Sequence, residues 1–270
     1  NIKSYNELLE QSKISDRIKI ILKVIINIFL LMSFYIMVAG FSAYFKQELN
    51  IPNIITASII SLICYITFMK NIDGIANINT IIIPVLILII LGLGLKSDLP
   101  GTIDNIDITN IKLSGNWLLR AIEYASYNSI LLIPMLISLK KYTIKNEKKV
   151  SIVSTIIFFI LSIIIYFIMF NINGLENIEI PLVYIANQHG KTYSIIYSVV
   201  IIVAIYTTMI SAGYGFLNNC TKKQNNFKIL AAFICISAIF ISNLSFSKLV
   251  NLTYPVFGML GFAQLIYILK

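Results

Sequence analysis

The chain has 270 residues, 58% of them hydrophobic and only 12% charged, with a net charge of +9. Soluble domains carry about a quarter charged residues, so this composition excludes an ordinary soluble domain. Apolar runs recur along the whole chain, each close to the ~20 residues that cross a ~30 Å hydrocarbon core as a helix. The period-2 alternation of a barrel is absent, and lipid offers a spanning backbone no other choice than helix or closed barrel. The expectation is an all-α, polytopic transmembrane helical bundle forming a single domain over 1–270.

The first stretch, 1–17, is polar. Ser4 and Glu7 have the spacing of a capping box, which predicts a short amphipathic helix at the cytoplasmic surface. Eight apolar spans follow: Val24 to Phe45, Pro52 to Met69, Ile75 to Leu95, Trp117 to Leu139, Val150 to Phe170, Thr192 to Leu217, Phe227 to Asn243 and Val250 to Leu269. Two connections are long. Lys96 to Asn116 carries Asp98, Asp104 and Asp107. Asn171 to Lys191 contains Pro181 and the semi-apolar IPLVYIANQHG. The second reads equally as a short helix over a vestibule or as a plain interfacial loop.

Lys and Arg set the orientation. With the N-terminus cytoplasmic, fifteen of the 21 fall on inner segments and six on outer ones, namely Lys46, Lys96, Lys112, Arg120, Lys191 and Lys248. Both termini are then cytoplasmic, and the expected location is a bacterial cytoplasmic membrane. Topology explains the positive charge without a nucleic-acid partner, and anionic lipid headgroups are its counterpart. Cys64, Cys220 and Cys235 are isolated, and His189 is the only histidine. Neither pattern has metal-ligand spacing, so no metal or cofactor is expected. No HExxH or GxSxG motif supports an enzyme.

The fourth span concentrates polar groups. RAIEYASYNSILLIPML carries Arg120, Glu123, Tyr124, Ser126, Tyr127 and Asn128 in its first half and Pro134 in its second. Arg120 and Glu123 are one turn apart and suited to an ion pair. Ionisable groups within a span face a bundle interior or a cavity. One reading is a snorkelling Arg120 satisfied by Glu123, with Asn128 bonding across helices. The other is a helix broken between Tyr124 and Asn128, its freed backbone lining a mid-membrane solute site. In TTMISAGYGF, the hydroxyls of Thr207, Thr208 and Ser211 are hard oxygen donors suited to an alkali cation, with helix packing as the competing role. NLTYPVFGMLGF, with Pro255, Gly258 and Gly261, suits close helix contact and a hinge.

Taken in order, SYNELLE, MVAGFSAYF, NINTIIIPVLI, EYASYNSILLIPML, TTMISAGYG and TYPVFGMLGF resemble the YkvI-like membrane protein family over essentially the whole chain. That family looks like a branch of the amino acid–polyamine–organocation transporters. The resemblance implies a LeuT-type fold of two inverted five-helix repeats, here starting at the third core helix. A chain opening at Asn1 without Met is then expected to be a trimmed or truncated piece. The resemblance places Tyr124, Ala125, Ser126 and Asn128 at the solute site, with Met37 and Gly40 facing them. It places Thr207, Thr208 and Ser211 on a helix that supplies half of a sodium site in sodium-coupled relatives.

The functional expectation is a secondary transporter for a small amino-acid-like solute, coupled to Na⁺ or H⁺. The alternative is a non-transporting receptor or assembly subunit of the spore-germinant type. The lipid bilayer and a small solute are the expected partners.

Overall fold

A computed structural model describes residues 15–70, 75–96, 116–139, 146–170, 178–221 and 223–268. Among these residues the structure is helical. In chain order the helices are α1 Asp16–Leu49, α2 Asn53–Phe68, α3 Ile75–Lys96, α4 Trp117–Leu139, α5 Glu147–Phe170, α6 Pro181–Gln188, α7 Lys191–Cys220, α8 Gln224–Ile241 and α9 Phe246–Ile268. Each of the eight apolar stretches falls on a helix, and α6 is additional. The capping box at Ser4 and Glu7 and the acidic run Asp98, Asp104 and Asp107 lie outside the described residues.

Among the described residues, four helices, α1, α5, α7 and α8, are both long and apolar enough to cross a membrane. Helix α2 and the Thr80–Lys96 part of α3 are apolar but shorter. The 34 residues of α1 extend about 51 Å at 1.5 Å each, well beyond a ~30 Å hydrocarbon core. It stops at Asn50, whose left-handed backbone (φ 53°, ψ 31°) returns an N–H to Lys46 O at 3.1 Å. Asparagine tolerates that conformation better than other side chains do, and Pro52 follows to turn the chain.

The open question over residues 171–191 is resolved as a helix where the structure describes them. Pro181 sits in the first turn of α6, where a missing N–H costs nothing. Val183, Ile185 and Ala186 are buried against Tyr44, Ile89, Leu93, Tyr197 and Val200. Gln47 fastens the approach from both sides: its Nε2 donates to Ile180 O at 3.3 Å, and Ile180 N donates to its Oε1 at 3.1 Å.

The main core lies among α1, α2, α7 and α8, around Phe34, Phe68, Met209, Ile210 and Ile234. Gly213 makes the packing possible, because a Cβ there would stand 2.5 Å from Phe68 Cζ. Two hydroxyl pairs tie the same helices: Tyr35 Oη with Ser237 Oγ, and Thr67 Oγ1 with Tyr206 Oη, each at 2.7 Å. Helix α5 buries only Ile168 and turns its other apolar side chains outward, as suits a lipid-facing surface.

Contacts near the helix ends sort the bundle into two faces. At one face Gln47 meets Ile180, Asn53 Nδ2 donates to Ser242 O at 3.4 Å, and Lys96 Nζ lies 4.4 Å from the centroid of the Tyr193 ring. There too the backbone N and the Oγ of Ser247, at the start of α9, donate to Glu179 Oε2. At the other face Asn219 Nδ2 donates to Asn27 Oδ1 at 2.9 Å. The start of α1 and the end of α9 share this second face, since Gly40 meets Phe246 while Phe29 meets Phe257.

Helix α4 packs along α9. Glu123 lies against Gly258, and the Tyr127 ring against that of Tyr254.

Candidate functional site

The polar half of α4 is packed on α9. Gly258 allows this, because a Cβ there would stand 2.7 to 2.9 Å from Cβ, Cα and O of Glu123. Above that contact, a pocket of about 160 Å³ is lined by Arg120, Glu123, Tyr124 and Tyr127 on α4 and by Val250, Asn251, Tyr254 and Pro255 on α9. Arg120 Nη1 and Glu123 Oε2 are 3.2 Å apart. The carboxylate side chain is buried at 9% exposure, whereas that of Arg120 remains 66% exposed. The pair therefore has one end fixed in the bundle and one end free to reorient.

Tyrosine rings make the walls. Tyr124 meets Tyr127 edge-on at 5.3 Å, and Tyr127 lies against Tyr254 at 4.3 Å. Tyr127 also anchors the site to α1, packing with Leu22, Ile26, Phe29 and Leu30. Pro255 adds a polar group. It has no N–H, so the carbonyl of Asn251 one turn earlier lacks its intrahelical donor.

The expected break in α4 is not found. The helix is continuous from Trp117 to Leu139, through Tyr124–Asn128 and across Pro134. Asn128 Nδ2 donates to Tyr124 O at 2.7 Å without unwinding the turn. One polar side chain competing for a carbonyl is not enough to open a helix whose apolar neighbours keep water away. The unpaired backbone acceptor that the broken helix was expected to supply comes instead from α9, through Pro255.

Of the solute-site residues named from the sequence, Tyr124 lines the pocket and Ser126 is buried beside it. Ala125 and Asn128 fall on the exposed side of α4. Met37 and Gly40 lie on α1, where a Cβ on Gly40 would stand 3.2 Å from the Phe246 ring and Met37 packs near Ile36 and Leu249. Tyr254 packs against both the cluster of Tyr127 and that of Ile36. Tyr254 and Asn251 were missed from the sequence. Their signal is the Tyr-Pro pair inside an apolar run, an aromatic next to a proline that frees a carbonyl.

The three hydroxyls on α7 do not converge on one face. Thr207 is buried, while Thr208 and Ser211 are exposed. Thr207 Oγ1 and Thr208 Oγ1 both donate to Ala204 O, at 3.1 and 2.9 Å, and Ser211 Oγ donates to Thr207 O at 2.8 Å. Each hydroxyl oxygen keeps lone pairs that a cation can use.

A guanidinium, a buried carboxylate, aromatic walls and a spare backbone acceptor suit a small zwitterion. The cation would hold a carboxylate, the carboxylate an ammonium. No protein-family model matches the chain, and no solved structure matches it. Over 251 residues, covering 88% of this chain and 71% of the relative, it is 24% identical to the "Uncharacterized membrane protein YkvI" of Bacillus subtilis (strain 168). Together with its long apolar helices, that similarity marks this chain as a helical membrane protein.

Proposed function

We propose that the chain is a secondary transporter for a small amino-acid-like solute, coupled to Na⁺ or H⁺. The observation that carries this reading is Glu123, a buried carboxylate between two apolar helices, paired with Arg120 at a tyrosine-lined pocket. Ionisable groups at such depth are costly and mark solute or ion pathways. In this reading Arg120 and Glu123 hold the two charges of the solute, and Tyr124, Tyr127 and Tyr254 enclose it. Ser126 backs the site, and Met37 packs against the same Ile36 cluster as Tyr254. Thr207, Thr208 and Ser211 belong to the same proposal as the cation side, or Glu123 itself carries the proton. No covalent chemistry is needed, so the activity is not enzymatic.

Kinship with the amino acid–polyamine–organocation transporters and a LeuT-type fold are parts of this proposal, as is a bacterial cytoplasmic membrane with both termini inside.

The test is uptake of a radiolabelled neutral amino acid into proteoliposomes holding the full chain, under an imposed Na⁺ or proton gradient. Saturable, gradient-driven uptake is expected. Glu123→Gln should weaken it by about tenfold or more, the worth of one charged hydrogen bond. Binding without flux would favour a receptor. Neither binding nor flux for any small amino acid would overturn the reading.

A further inference from the structure

A larger cavity, about 410 Å³, opens at the face where α1 begins, between the end of α2, the end of α7 and the start of α8. Lys70, Lys223 and Lys228 stand around it, with Asn218, Thr221 and Gln224 as further polar lining. Among the described residues, no acidic residue lines it and none of the three lysines is ion-paired. Helix α8 starts here at Gln224 without a side-chain cap. Its first N–H groups and the positive end of its dipole are therefore available to an anion. Tyr214 and Phe227, edge-on at 5.8 Å, form an aromatic wall.

Three cations and uncapped helix donors, with no carboxylate among the described lining, specify a phosphate-like anion. Its source is indicated by what lies beyond the cavity. From Lys228 along α8, Ile229, Phe233, Ile236 and Phe240 are 57 to 71% exposed. Their spacing of four, three and four residues puts them on one stripe of the helix. Free phosphate has no use for such a stripe, whereas a phospholipid needs a path for its acyl chains directly below the headgroup. We propose that this cavity holds the phosphate of an anionic phospholipid, ligated by Lys70, Lys223 and Lys228, with an acyl chain lying along α8. Basic pockets between membrane helices bind headgroups in this way.

The full chain, purified in detergent, is titrated with phosphatidylglycerol, phosphatidylcholine or inorganic phosphate, and bound lipid is read by native mass spectrometry. Phosphatidylglycerol should bind well above phosphatidylcholine, and excess inorganic phosphate should not displace it. K70Q/K223Q/K228Q should weaken that binding about a hundredfold, at roughly fivefold per lysine. The corresponding triple arginine variant should restore it, and K148Q/K149Q on α5 should leave it unchanged. If the triple glutamine variant fails to fold, the single variants should each show the fivefold loss. Unchanged binding in the glutamine variants would overturn the site. Displacement by inorganic phosphate, or equal binding of phosphatidylcholine, would overturn the lipid assignment.

Discussion

Gly258 decides how closely α4 and α9 approach. The atoms that a Cβ would meet include Cα and O of Glu123, which are backbone and cannot rotate away. Gly258→Ala must therefore push the helices apart. It should destabilise the protein by ~1–3 kcal/mol, the usual cost of overpacking, as measured by unfolding in a detergent–denaturant titration. Gly213→Ala is the contrast, since the nearest atom there is Cζ of the Phe68 ring, which a ring shift can move. Near-equal losses would refute the distinction. That the run containing Gly258 serves close contact was legible from its Gly-x-x-Gly spacing. The faces of Ala125 and Asn128 were not. In water, an apolar stripe marks the buried side of a helix. In a lipid-facing bundle both sides are apolar or small, so the stripe loses its meaning.

At the scale of helices, the α4–α9 seam is the sharpest claim. Tyr127→Cys with Tyr254→Cys should cross-link efficiently through a short bifunctional maleimide, because the two rings are 4.3 Å apart. Failure to cross-link there would separate the two helices and remove the pocket between them. The helices themselves were readable, since apolar length fixes where a helix falls in lipid. Helix α6 was readable only as one of two alternatives. Eight residues are too few to show a period, and its evidence is tertiary: three apolar side chains under the end of α1 and a glutamine bonded to the backbone before it. The continuity of α4 was misjudged because polar and small residues describe what a helix can lose, while its neighbours decide whether it does.

For the molecule as a whole, the two faces differ in charge. Arg17, Lys19, Lys23, Lys70, Lys223 and Lys228 belong to the face where α1 begins, while Lys46, Lys96, Lys191 and Lys248 belong to the other. The first face should be cytoplasmic. In intact cells, Lys148→Cys at the start of α5 should resist an impermeant thiol reagent, and Asn187→Cys at the end of α6 should react. The opposite pattern would invert the protein. Charge thus predicts the sidedness of the ends, because it acts on whole segments during insertion. It does not predict which helices touch, and therefore could not locate the pocket.

The close contact at Gly258 has a bearing on size. The pocket lines α9 from Val250 to Pro255, and one turn further on, the two backbones meet with no side chain between them. A molecule lodged against Glu123 therefore finds a stop made of main chain, which no rotamer can clear. Such a stop acts as a ruler. It sets an upper length for whatever points along the seam, so discrimination among similar solutes would be by reach, and altering the charges at Arg120 and Glu123 would change how tightly they are held but not how long they can be.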